Sequence, residues 1–232
     1  MNISFQQVDI VFQVIVFLFA ISVHESAHAW TAYRLGDPTA YMVGRVSLNP
    51  IRHIDPIGTV VMPLLALLTH FPVIGWAKPT PVNTRNFKRF VRDDVLTSMA
   101  GPVSNFVVAT VCVILLSGMA LTMPSGRDAL LQARQFKWTG GFFGPQASLL
   151  PLALLLYEAM FINVMLGIFN IIPVPPLDGS HVLRHFLAEP IRRVYDNVGR
   201  FGLILLLFFG GRLLWTLMSP ILGIFDGILA RI

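Results

Sequence analysis

Apolar stretches long enough to cross a bilayer take up most of this 232-residue chain, and they limit its fold more than any other feature. In lipid every backbone N–H and C=O must find a partner within the protein, so a spanning segment is a helix or a strand of a closed barrel. Continuous runs of about 20 apolar residues without alternation fit helices. About four are predicted, at about Val8–Leu35, Val95–Met123, Ser148–Ile172 and Phe201–Leu229. Hydrophobic residues make up 55% of the chain and charged ones only 12%, against about a quarter charged in soluble domains. The expected class is an all-α polytopic membrane protein, a single integral-membrane domain over residues 1–232, with the lipid bilayer as its first partner. The net charge of +5 does not point to nucleic acid, because the basic residues fall in short clusters between apolar stretches, where they set membrane orientation. The lone Cys112 lies in an apolar run and reads as a packing residue.

The first apolar stretch holds His24-Glu25-Ser26-Ala27-His28. Residues four apart share a helix face, so the two imidazoles can take one metal ion while Glu25 borders its open side. A pair of buried histidines is the plainer reading. It leaves Glu25 in lipid at a cost of about 3 kcal/mol on insertion scales, and ionisable residues at such depth mark function. Glu25 also separates two classes of protein: a hydrolase needs a base beside its metal, whereas a metal-binding transporter or ion pathway needs ligands only. The run Ile10–Val23 lacks the basic flank and cleavage site of a signal peptide and continues into the motif, so it is expected to remain as the first span. Gly36-Asp37-Pro38 should end this helix.

No lysine or arginine precedes the first span, whereas Arg34, Arg45 and Arg52 follow. That asymmetry puts the N-terminus outside a cell membrane and the histidine motif nearer the cytoplasmic face. Thr39–Asn49 mixes Met42, Val43, Val46 and Leu48 with Gly44, Arg45 and Ser47, and reads as a short membrane-associated β-hairpin. Pro56–Ile74 is apolar but short, and broken by Gly58, Pro63 and Pro72. Arg85, Lys88, Arg89 and Arg92 after it carry the same cytoplasmic signature as Arg45 and Arg52 before it, so this segment is expected to be re-entrant. Pro124–Ala147 is expected to form an external loop. Arg184, Arg192, Arg193 and Arg200 mark a cytoplasmic, amphipathic segment.

A catalytic zinc site has three protein ligands and one exchangeable position, so the two histidines need a partner. Asp178 is the best-placed carboxylate, because the prolines at 173, 175 and 176 break the preceding helix and free a side chain to line a polar cavity. Its competing role is to cap a helix that begins near Gly179. His181 and His185, spaced i, i+4 beside Asp178, are candidates for a second metal site or a replacement ligand. His53 and His70 have no partner at ligand spacing, and Trp30, Trp76, Trp138 and Trp215 fall near span ends, as in an aromatic belt.

Three motifs in order, His24-Glu25-x-x-His28, Gly101-Pro102-x-x-Asn105 and Asn170-x-x-Pro173-x-Pro175-x-Leu177-Asp178-Gly179, resemble the site-2 protease family of intramembrane zinc metalloproteases over Phe12 to Gly179. The resemblance implies one Zn2+ per chain, held by His24, His28 and Asp178, with Glu25 as general base. It implies an endopeptidase that cleaves a transmembrane or membrane-proximal segment of a membrane protein or membrane-bound peptide. Asn105 would line the active site, donating to the developing oxyanion or holding the substrate backbone, with helix–helix hydrogen bonding as its competing role. Gly44–Asn49 or Gly75–Val82 would supply a membrane-associated strand. The chain resembles a compact member, with no PDZ domain in the external loop and no cystathionine-beta-synthase domains after the last span.

Overall fold

The computed structural model describes residues 5–61, 77–141, 145–199 and 201–232. Its helices are α1 (Phe5–Leu35), α2 (Thr39–Met42), α3 (Phe90–Thr122), α4 (Gly126–Thr139), α5 (Leu150–Ile171), α6 (Asp178–Arg184), α7 (Glu189–Gly199) and α8 (Gly202–Leu229). Four of them, α1, α3, α5 and α8, contain a stretch apolar and long enough to cross a membrane. The long helices thus match the spans read from the sequence, and the protein is a multi-pass membrane protein of helices. Pro102 lies inside α3 and Pro220 inside α8. Spanning helices tolerate such prolines because neighbours satisfy the freed carbonyl.

Helix α1 stops where Gly36-Asp37-Pro38 predicts. Gly36 has φ +112°, its N–H donates to Tyr33 O, and the Asp37 N–H reaches back to Ala32 O, the pattern of a Schellman cap. The expected β-hairpin over Thr39–Asn49 is a misreading: among the described residues there is no β-strand. Asp37 accepts from Thr39 N at 3.1 Å and starts a single helical turn, which the Gly44 and Arg45 N–H groups close on Tyr41 O and Ala40 O. Val46 is then a bend, with Ser47 N–H donating to Arg45 O, and Pro50–Arg52 is a 3-10 turn. The alternative strand at Gly75–Val82 is not a strand either where it is described, over residues 77–82. Lys78-Pro79-Thr80-Pro81 explains why: each proline removes a donor and pushes the residue before it into an extended conformation, which gives an irregular strap and not a ladder. Of the segment expected to be re-entrant, Pro56–Val61 forms a wide helical turn that the Asp55 carboxylate caps through Ile57 N and Gly58 N, while 62–74 lie outside the described residues.

The chain divides into two units. One comprises Met1–Ala20, Asn105–Leu166 and Thr216–Ile232. Val16, Ala20 and Ile162 form its buried cluster, with Phe17, Leu155, Ala159 and Leu166 packed around them. This unit contains helix α4 within the segment expected to be an external loop. Ala129, Leu130, Ala133 and Phe136 recur at helical spacing and are buried, and that apolar stripe makes the segment a helix. Arg134 makes two 2.9 Å hydrogen bonds to Asp226, which also accepts from Tyr157, and Lys137 pairs with the buried Glu158 at 2.7 Å.

The other unit comprises Ile21–Ser104 and Gly167–Trp215. Two buried charges organise its loops. The Asp37 carboxylate accepts from Thr39 N and Oγ1, from Asn83 N at 2.7 Å and from Asn86 Nδ2 at 2.8 Å. Burial alone would raise the Asp37 pKa, but the hydrogen bonds from Thr39, Asn86 and Asn83 outweigh it and hold the carboxyl below the usual carboxylate range. Arg45, counted in the sequence among the basic residues that mark orientation, is instead buried. It donates to the carbonyls of Arg52 at 2.7 Å, Lys78 at 3.1 Å and Pro79 at 3.5 Å.

Candidate metal centre

Helix α1 presents His24 and His28 one turn apart, and both are buried. The His28 Nδ1 lies 2.7 Å from Thr97 O on α3. A carbonyl only accepts, so Nδ1 carries the proton and Nε2 of a neutral ring is left with its lone pair. Pro102 lacks the N–H that would otherwise bond Ser98 O, so the gap in the α3 ladder adjoins the carbonyl that takes His28. A hydrogen bond to the far ring nitrogen is how metal-binding histidines are usually oriented.

Asp178 is the first residue of α6, and the N-cap of that helix is Leu177, with no side-chain cap bond. The competing capping role is therefore not the geometry observed. The Asp178 carboxylate turns to the imidazoles: Oδ2 lies 3.1 Å from His24 Nε2 and 3.4 Å from His28 Nε2, and the two Nε2 atoms are 3.1 Å apart. Asp178 Oδ2 is buried and has no hydrogen-bond partner. Two ring nitrogens and a carboxylate oxygen facing one another at these separations repel unless a proton or a cation lies between them. In a tetrahedral zinc site with bonds of about 2.0–2.1 Å, neighbouring donor atoms stand about 3.3 Å apart. The three separations match that edge, so the residues present fit zinc.

Gly101 supplies a second sign of fit. A Cβ built there would overlap His28 Nε2 and lie 2.6 Å from His24 Nε2, within the space that the two imidazoles border. Only glycine leaves that space open at this turn of α3. Among the described residues, His24, His28 and Asp178 are the group of three ligating side chains whose donor atoms converge within 4.8 Å.

The remaining candidates separate from this group. His185 bonds Asp94 Oδ2 at 2.7 Å, which ties the end of α6 to the start of α3, and the exposed His181 lies 3.9 Å from the same oxygen. Among the described residues, neither joins the converging set or forms a second one. His53 is buried, with Nε2 2.7 Å from Ser47 O, and holds a loop. His70 lies outside the described residues. Asn105 is fully buried, and its amide donates to Asn163 Oδ1 at 2.8 Å and to Ala20 O at 3.4 Å, which are bonds between helices of its unit.

Glu25 is half-buried, and Thr80 holds it. Its Oε2 accepts from Thr80 N at 3.0 Å and from Thr80 Oγ1 at 2.7 Å. Ser26, next along, exchanges hydrogen bonds with Ser47 O at 3.0 Å and Ser47 N at 2.9 Å. Thr80, Thr97 and Ser26 were not visible as site residues in the sequence. The Pro-Thr-Pro string at 79–81 was the available signal for Thr80, because it fixes an extended backbone whose one amide proton must find a partner.

Residues 12–209 match the sequence model of Peptidase family M50. YwhC of Bacillus subtilis, a zinc metalloprotease by name, is 35% identical over 211 residues, which cover 89% of this chain and 85% of that protein. Rip2 of Mycolicibacterium smegmatis, also a zinc metalloprotease by name, is 25% identical over 189 residues, 81% of this chain but 62% of the relative. MJ0392 of Methanocaldococcus jannaschii, named a zinc metalloprotease, shares 36% identity over 61 residues, 24% of this chain and 18% of that one. No solved structure matches.

Proposed function

The chain belongs to peptidase family M50 and is an intramembrane zinc metalloprotease; we propose that His24, His28 and Asp178 hold its zinc and that Glu25 is the general base. The convergence of His24 Nε2, His28 Nε2 and Asp178 Oδ2 within 3.4 Å carries this assignment. Zinc bound there supplies a Lewis acid for the scissile carbonyl and lowers the pKa of a water towards neutrality. The chain's own residues do the rest. Thr97 O fixes the His28 ring, Gly101 keeps the space open, and the Glu25 carboxylate takes the proton of the attacking water and passes it to the leaving amine. An ion pathway would use the same ligands, but family membership favours hydrolysis, and Glu25 has no part in a pathway.

The substrate is a protein in a membrane setting. More finely, the bond cut lies in a transmembrane or membrane-proximal segment, and Asn105 holds the substrate backbone. The whole chain acts as one catalytic domain in the plasma membrane, N-terminus outside and metal site nearer the cytoplasm. The positive clusters at 85–92 and 184–193 support that orientation.

The test is a set of variants read by zinc content and by proteomic comparison of membranes for stabilised proteins. Glu25→Gln should abolish cleavage yet retain one zinc per chain, whereas Asp178→Ala should lose both. Full zinc in purified Asp178→Ala removes it from the ligand set, and loss of zinc in Glu25→Gln removes Glu25 from the role of base. In the same set, Asn105→Ala that melts earlier but turns over normally would assign Asn105 to pairing helices alone.

A further inference from the structure

The strap at 77–83 is bound to its unit by hydrogen bonds at Lys78, Pro79, Thr80 and Asn83. Lys78 N donates to His53 O at 2.9 Å, the carbonyls of Lys78 and Pro79 accept from buried Arg45, and Asn83 N donates to Asp37. At its centre, between Pro79 and Pro81, the backbone N–H and hydroxyl of Thr80 both go to one oxygen of Glu25. The hydroxyl also lies 3.2 Å from Glu25 O, so side chain and backbone of the same residue are engaged. Glu25 Oε1 has no hydrogen-bond partner among the described residues. One oxygen is held by two donors and the other is left open.

We propose that Thr80 is a positioning residue for catalysis: it fixes the Glu25 carboxylate by Oε2 so that Oε1 is presented for proton transfer. The inference rests on the reading of Glu25 as general base. A free glutamate samples many rotamers, and a base that must meet a water in one geometry loses rate in proportion to the time spent elsewhere. The prolines on either side set the backbone so that the Thr80 N–H points at Glu25, and Arg45 holds the two carbonyls before it. The strap therefore brings a donor pair to a helix that, in its own interior, has no free N–H to offer a side chain.

The test uses zinc-loaded, detergent-solubilised full chain with fluorescein-labelled casein as probe, an unfolded protein that needs no helix unwinding. Thr80→Val removes the hydroxyl at nearly constant volume and should lower kcat on the order of 10- to 100-fold, with KM, zinc content and thermal midpoint unchanged. Thr80→Ser, which keeps both donors, should restore turnover to within about threefold of wild type. Should Thr80→Val fail to fold, Thr80→Ala carries the same expectation. Wild-type kcat in a folded, zinc-loaded Thr80→Val or Thr80→Ala overturns the inference, as does loss of zinc in a folded variant, which would make the strap a support of the metal site. The two readings fail separately. If casein cleavage persists in Glu25→Gln, the assignment of the base is wrong; if Glu25→Gln abolishes it and Thr80→Val does not, only the role of Thr80 is wrong.

Discussion

Gly101 gives a sharp test at the scale of a single residue. An alanine there would put a methyl group against both His24 and His28 Nε2, and the rings cannot retreat freely because His28 is tied to Thr97 O and both are buried. Gly101→Ala should therefore reduce zinc to well below one per chain while α3 remains helical, since alanine is the better helix former by about 1 kcal/mol. Metal analysis of the purified variant decides it, and full zinc occupancy would show that α3 yields where the geometry says it is fixed. The converging side chains were legible in the sequence because helix spacing is a local property: His24 and His28 meet through one turn of backbone. Thr80 and Thr97 were not. They approach α1 from 55 and 69 residues away, and no period in a single sequence encodes such contacts.

At the scale of elements, the spanning helices could be read from continuous apolar runs, whereas the segments between them depend on a few side-chain hydrogen bonds. Met42, Val43, Val46 and Leu48 favour a strand by composition. The Asp37 carboxylate and the turn at Gly44 override them, and α4 was hidden by the glycines that flank its apolar stripe. Asp37 joins the end of α1, the start of α2 and the Asn83–Asn86 turn, so its loss should loosen all three together. Asp37→Asn keeps the shape but surrenders the charge and one acceptor, and should cost about 2 kcal/mol at pH 7. The sign of the pH dependence follows from a folded-state pKa held below its ordinary value. The stabilisation is complete above the unfolded pKa of about 4 and is lost as pH falls through the lower folded value. Thermal unfolding in detergent should thus show a gap between wild type and variant that is constant from about pH 5 to 8 and closes only below about pH 4. A gap that closes near neutrality would assign the effect to another group.

At the scale of the whole molecule, the sequence speaks through charge, and the structure changes which charges count. Arg45 is buried among carbonyls and Lys137 is committed to the buried Glu158, so neither reports a face of the membrane. Arg89, Arg127 and Arg193 are exposed and serve instead. Arg89 precedes α3, Arg127 follows it on α4, and Arg193 lies on α7 after α5. If each long helix crosses once, positions 89 and 193 share one side and position 127 takes the other. The basic clusters around 89 and 193 predict that this shared side is the cytoplasm. Cys112 is buried, and its replacement by serine leaves a background without thiols. Single cysteines at 89, 127 and 193 in that background should react with an impermeant thiol reagent on intact cells only at 127, and all three should react after permeabilisation. Where α1 enters from outside, this pattern means that Gly36 and Arg89 share a face. Labelling at 89 and not at 127 would mean that Pro56–Ile74 crosses the bilayer completely or that α1 enters from the opposite side. A cysteine in place of exposed Tyr41, just past α1, separates those outcomes: silent Tyr41→Cys beside labelled Arg89→Cys requires a full crossing, and labelling at both reverses the orientation of the whole protein.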